Sequence, residues 1–281
     1  MKALIVTADD FGLAREVNEA VEAAHRDGIV TAASLMVGAP AAADAVARAR
    51  RLPSLRVGLH LVLVEGRPVL PAASLPDLVD RTGRFRTDMV AMGVEIFLRP
   101  GVRRQLASEI AAQFEAFQAT GLALDHVNAH KHFHLHPTIA GQILDIGARY
   151  GMKAVRVPAE PTDVLGRVEP RTAVGSALLT APWTALLRAR VRRRGLVAPD
   201  RVFGLAWSGA MTEDRIAGLL SDLSAGITEI YAHPATSGGF EGANPGYRYA
   251  DELAALTAPA IRAAALASGA RLGGFTGLGV A

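Results

Sequence analysis

The sequence contains no cysteine. Disulfides, thiolate nucleophiles and cysteine-ligated metals are therefore excluded. No apolar run reaches the eighteen or so residues that a membrane-spanning helix needs. The first ten residues turn acidic too early to hold the apolar stretch of a signal peptide. These absences predict a cytoplasmic protein. Acidic residues are missing from 170–199, where Arg171, Arg188, Arg190, Arg192, Arg193 and Arg194 all fall, although the whole chain carries a formal charge of only +3. An anionic membrane surface or an acidic partner would suit that block, and so would a solvated helix face. Its single tryptophan and the lack of any recognisable nucleic-acid module argue against nucleic acid.

Half of the residues are hydrophobic and a fifth are charged, a balance that fits a folded chain rather than a disordered one. Strand-like runs at 3–8, 31–37, 56–63, 122–128, 153–157, 201–206, 228–232 and 271–275 alternate with helical periodicity at 16–26, 41–51, 102–120, 138–150, 212–223 and 249–268. In 102–120, for example, Leu106, Ile110, Phe114 and Phe117 recur every three or four positions. Such alternation predicts an α/β protein with a parallel sheet. The strand count and the length favour an irregular, TIM-like (β/α) barrel over an open sheet, with catalytic loops at the carboxyl ends of the strands. No repeat or linker divides the chain, so one domain over 1–281 is expected. Two insertions, 65–101 and 159–199, are too long for ordinary connections and read as active-site loops or a lid.

Polar residues interrupt the strands at their carboxyl ends. Asp9 and Asp10 close the first strand, His60 lies in the third, His130, His132, His134 and His136 follow the fourth, and His233 follows 228–232. Each has a plainer reading. Asp9 and Asp10 with Phe11 and Gly12 fit a helix-capping turn, and a histidine between Leu59 and Leu61 fits a hydrogen-bonded core residue. The four alternating histidines resist such a reading, because spacing by two places them on one side of an extended chain and desolvating four imidazoles without a task is expensive. Two histidines and one carboxylate bind a divalent metal while leaving positions open for water and substrate. A second carboxylate serves as general base, and a separate histidine protonates a leaving amine. The chemistry so described is metal-assisted hydrolysis of an amide or ester. The same ligand set can hold iron in an oxygenase. A non-catalytic metal-binding protein would use the histidine run but leave Asp9, His60 and His233 without purpose.

Four stretches carry a family resemblance: Val6-Thr7-Ala8-Asp9-Asp10-Phe11-Gly12, Gly58-Leu59-His60-Leu61, His130-Lys131-His132-Phe133-His134, and Glu229-Ile230-Tyr231-Ala232-His233-Pro234. Together, in this order and across nearly the whole chain, they resemble the YdjC-like carbohydrate deacetylases. The resemblance is closest to the branch associated with hopanoid biosynthesis, HpnK. It implies an irregular (β/α) barrel and removal of an acetyl group from an N-acetylated sugar. It further implies Asp10, His60 and His130 as ligands of a divalent metal, with zinc the default and magnesium, cobalt, nickel or iron also accepted, and Asp9 as the base. His233 is the candidate acid by analogy with related polysaccharide deacetylases. His132 and His134 match the family run and are assigned to substrate or to orienting neighbours, while Arg156 reads as holding Asp9 ionised, as contacting substrate or as a simple surface ion pair. Where many relatives have Asp-Ser before the metal histidine, this chain has Asn128-Ala129, and His136 gains no role.

The hopanoid branch implies an N-acetylglucosaminyl lipid as substrate; a soluble chito-oligosaccharide is the alternative. With a lipid substrate, 173–195, a basic stretch with Leu179, Trp183, Leu187 and Val191 at helical spacing, reads as a lid lying on an anionic membrane at the inner surface. The same periodicity fits a helix packed on the barrel.

Overall fold

A computed structural model describes residues 1–172 and 175–278, with the backbone alone at 176–178. Its centre is β1 (Lys2–Phe11), buried from its second residue onward. Such a strand needs an unbroken apolar run, because both of its faces are covered. It pairs in parallel with β2 (Ala32–Leu35) on one side and β6 (Gly226–Ala232) on the other. Beyond β2 come β3 (Arg56–Leu61) and β4 (Val127–Ala129), and β5 (Arg201–Phe203) lies outside β6. The short β7 (Arg271–Leu272) pairs with the start of β1. Every pairing among these seven strands is parallel.

The 153–157 run forms no full strand. It makes parallel bridges from Val155 to Val127 and from Ala154 to Val197, and the Val202 N–H donates to the Ala159 carbonyl. These bonds carry the curve of the sheet from β4 back toward β5, giving the irregular TIM-like barrel expected from the sequence.

Helices cover the outside. In α1 (Arg15–Arg26), Val17, Ala20, Val21 and Ala24 face the sheet at helical spacing. After α2 (Ala42–Arg50), the insertion at 65–101, expected to be an active-site loop or lid, contains a helix, α3 (Met89–Leu98), whose even apolarity shows no helical period. Asp88 caps it through the Ala91 N–H at 2.9 Å. Pro100 then opens α4 (Pro100–Ala119), because proline suits a first helical turn and turns the residue before it away from helix. After α5 (Pro137–Arg149), the second insertion holds α6 (Thr162–Val168) and α7 (Gly175–Arg193). Following α8 (Glu213–Ser221), the expected helix at 249–268 is two, α9 (Tyr249–Thr257) and α10 (Pro259–Ala267), broken by Pro259 for the same reason. A short α11 (Phe275–Leu278) ends the described chain.

The arginine block divides between packing and exposure. The lid expectation begins at residues 173 and 174, which lie outside the described residues. Along α7, Leu187 and Val191 are buried against the barrel, whereas Leu179 and Trp183 are exposed. Arg188 donates to the Asp200 carbonyl, Arg190 to the Pro137 carbonyl, and Arg194 pairs with Asp145. Much of the basic character therefore fastens the helix to its own fold. Among the described residues, no helix is long and apolar enough to cross a membrane.

Candidate metal centre

Parallel strands present all their carboxyl ends at one rim, and there the polar residues meet. Neighbouring residues of a regular strand face opposite sides, so Asp9 and Asp10 should diverge. They do not, because the β1–β2 register shifts between Ala8 and Phe11 and Asp10 takes a left-handed φ of 62°. That bulge turns both carboxylates inward. Three further non-glycine residues, Glu65, Lys131 and His132, have positive φ among the described residues. Lys131 and His132 break the histidine run just after β4, and Lys131 pairs with Glu65. Backbone strain of this kind typically concentrates around functional sites. The run is consequently not extended: 130–135 coils into a 3-10 turn, and the alternating histidines separate.

Asp10, His60 and His130 converge, with one ligand atom from each within 4.8 Å of the others. Asp10 Oδ1 lies 3.3 Å from His60 Nε2 and 3.2 Å from His130 Nδ1. Yet this buried oxygen forms no hydrogen bond. Ligand atoms roughly 2.0–2.1 Å from a zinc ion at tetrahedral angles stand about 3.4 Å apart, close to the spacing of both Asp10–histidine pairs. An orphaned carboxylate oxygen between two imidazole nitrogens fits a divalent cation, and the donor set suits zinc, iron, cobalt or nickel.

Asp9 is fixed from behind. Arg156 Nη2 donates to Asp9 Oδ1 at 3.0 Å while Nη1 donates to Oδ2. The same guanidinium donates through Nη2 to Glu229 Oε1 at 2.6 Å and lies 4.4 Å from the centroid of the Tyr231 ring. Thr7 donates to the same Glu229 oxygen at 2.7 Å. Burial pushes the Asp9 carboxyl up, but the Arg156 charge, helped by His60, more than reverses this and holds it below the ordinary carboxylate range. Asp9 is therefore a fixed, ionised carboxylate facing the cavity.

A chain of polar groups reaches His60 from the opposite side. Asp125 Oδ2 lies 3.1 Å from His126 Nδ1, and His126 Nε2 lies 3.0 Å from Ser34 Oγ. Asn128 joins Ser34 to His60 Nδ1, at 2.9 and 2.7 Å. The donors around it turn the amide oxygen toward Arg156 and Ser34, so its nitrogen donates to His60 Nδ1. A cation on His60 Nε2 would instead require Nδ1–H to donate to the amide oxygen.

The remaining candidates fall elsewhere. His132 Nε2 meets the Tyr231 hydroxyl at 2.8 Å, and burial pushes its pKa well down. His134 Nε2 meets the Arg156 carbonyl at 3.0 Å, with burial lowering its pKa to about 3. Neither reaches Asp10; both support the walls. His233 borders the cavity between the Tyr231 and Tyr247 rings. Its main-chain N–H donates to Glu252 at 2.6 Å, while its Nδ1 has no hydrogen bond. The cavity, about 350 Å³, is bordered by Asp9, His60, His130, His132, Tyr231 and His233 among others.

Sequence reasoning passed over Glu229 and Tyr231. The signal was available: residues 229 and 231 alternate along β6, and 233, just past its end, continues the alternation on the same face. Tyr247 was passed over too. It joins from a loop, its hydroxyl 2.7 Å from Ser208 Oγ, and no periodicity marks it.

The chain is similar to known proteins over much of its length. The family model described as YdjC-like protein matches residues 3–267. A carbohydrate deacetylase of Geobacillus stearothermophilus is 32% identical over 272 residues, covering 95% of this chain and 94% of that protein. A carbohydrate deacetylase of Brevibacillus brevis is 39% identical over 168 residues, 60% of this chain and 62% of that protein. The latter match thus spans about three-fifths of its relative's length. A solved Enterococcus faecalis V583 protein, described as a cellobiose-phosphate cleavage protein, shares the fold with a TM-score of 0.76 at 24% identity, covering 99% of this chain and 98% of that one.

Proposed function

The chain belongs to the YdjC-like protein family, and from that premise we propose that it is a metal-dependent carbohydrate N-deacetylase. The observation that carries this reading is the unbonded Asp10 Oδ1 between His60 and His130, with the clamped Asp9 one residue away. Relatives named carbohydrate deacetylases support the substrate class.

Asp10, His60 and His130 would hold the cation. When bound, zinc or a similar ion acidifies water and polarises the acetyl oxygen. Asp9, kept ionised by Arg156, takes the proton of the attacking water. His233, which lines the same cavity, gives a proton to the departing sugar amine, and Tyr231 and Tyr247 confine its ring. His132 and Tyr231 form a bonded pair at the cavity wall, where the sugar would lie. The products are acetate and a free amino sugar.

The finer reading is an N-acetylglucosaminyl lipid of the hopanoid type. The HpnK-like motifs support it, as do the exposed Leu179 and Trp183 on α7, which would touch an anionic membrane from the cytoplasmic side. Mass spectrometry of a purified N-acetylglucosaminyl lipid, before and after incubation with metal-loaded protein, tests both levels. Loss of one acetyl unit is expected. Turnover of chitobiose with an untouched lipid would keep the deacetylase and discard the lipid.

A further inference from the structure

Helix α3 is apolar nearly all round. Met92 and Ile96 fill the core, yet Val90, Val94, Phe97 and Leu98 on its other side are exposed, Val90 by 79% and Phe97 by 58%. Its one charge, Glu95, is paired with Arg86 and Arg99. A helix hydrophobic on every side is ordinarily buried, yet among the described residues nothing covers this face. Across from it, Trp183 of α7 is 48% exposed, and between the two helices lies a trough of about 450 Å³ with no charged side chain among its lining residues.

The trough adjoins the metal cavity. Met89, Leu135 and His136 form a wall common to both spaces. At Gly93 the helix lies against the His136 ring, since a Cβ there would stand 3.4 Å from His136 Cδ2. A molecule whose acetamide reaches Asp9 and the Asp10 triad can therefore extend over Met89 onto α3 without crossing a charged surface.

We propose that this trough is a binding site for an extended, uncharged hydrocarbon group attached to the sugar that is deacetylated. The proposal rests on the deacetylase reading above and assigns His136 and α3, which that reading leaves unused. Continuity with the catalytic cavity favours a substrate tail over a second copy of the chain, which would close the mouth of the site.

The test uses the full-length, metal-loaded protein with methyl, butyl and octyl glycosides of N-acetylglucosamine below their micelle concentrations. The kcat/KM for acetate release rises with chain length, the octyl glycoside exceeding the methyl by about tenfold or more because methylenes leave water. Val94→Asp brings the octyl-to-methyl ratio close to one. A ratio near one in the unaltered protein, or a ratio that survives Val94→Asp, overturns the proposal. So does a dimer in sedimentation that Val94→Asp dissociates, since the face would then belong to a second copy. Trp183 fluorescence separates this from the activity. Trp207 is buried, so an octyl-dependent change lost in Trp183→Phe supports the trough even if no glycoside releases acetate, in which case the deacetylase reading alone fails.

Discussion

Arg156 grips Asp9 with both terminal nitrogens although 147 positions separate them in sequence, and neither side chain is open to water. The pair explains how a carboxylate stays ionised in a buried place. The guanidinium also donates to Glu229, and Thr7 donates to the same Glu229 oxygen. Removing one member of such a group leaves charges with no partner, typically at a cost of about 3–5 kcal/mol.

Arg156→Met should therefore destabilise the fold by about that amount in urea denaturation at neutral pH. Without the cation, Asp9 takes up its proton at higher pH. The acid limb of the kcat/KM profile accordingly moves upward. The stability that ionised Asp9 contributes above the ordinary carboxylate pKa, which is lost as pH falls, disappears as well. An acid limb identical to that of the unaltered protein would contradict this account of Asp9.

Asp9→Asn and His130→Ala separate base from ligand. The first keeps the triad and should retain metal, measured by elemental analysis, while acetate release falls by about 10²–10⁴-fold. The second removes a ligand, so bound metal falls and added divalent ions no longer raise the melting temperature.

Ser34→Ala interrupts the chain that joins His126 to Asn128. The Asn128 amide then loses the hydroxyl that meets it at 2.9 Å, so the group that faces His60 Nδ1 is held less firmly. Metal affinity, measured by competition with a chelator, should fall about 10- to 100-fold, the usual cost of losing such an orienting partner.

Asp125 predicts the acid stability of the far side of the barrel. Burial raises its pKa, but the His126 contact together with the Thr276 hydroxyl and the Phe275 N–H brings it down to about 2. A lowered carboxyl pKa stabilises above its ordinary value of 3.8 and loses that contribution as pH falls toward 2. The contribution is on the order of 2 kcal/mol. Asp125→Asn should flatten the pH dependence of stability between pH 4 and pH 2 in urea melts, and lower stability at neutral pH by a similar amount.

Strand and helix order could be read from the chain because apolar period and strand alternation are local properties, as in β1 and α1. The breaks at Pro100 and Pro259 are also local, because each proline acts on the residue just before it. The α3 helix was missed because Met89 to Leu98 shows no contrast between a wet and a dry face, the same feature that later marks it as a surface in need of a partner.

By itself, the sequence determined which chemical groups the rim would hold, since each of Asp9, Asp10, His60, His130 and His233 sits at a strand end and parallel strands share one rim. Which of those groups face one another was decided only in three dimensions. The bulge at Asp10 turns two adjacent carboxylates to the same side, and the left-handed backbone at Lys131 and His132 sends His130 to Asp10 while His132 and His134 go to the walls. Such choices depend on a few dihedral angles held by long-range packing, and the one-dimensional pattern of residue types does not record them.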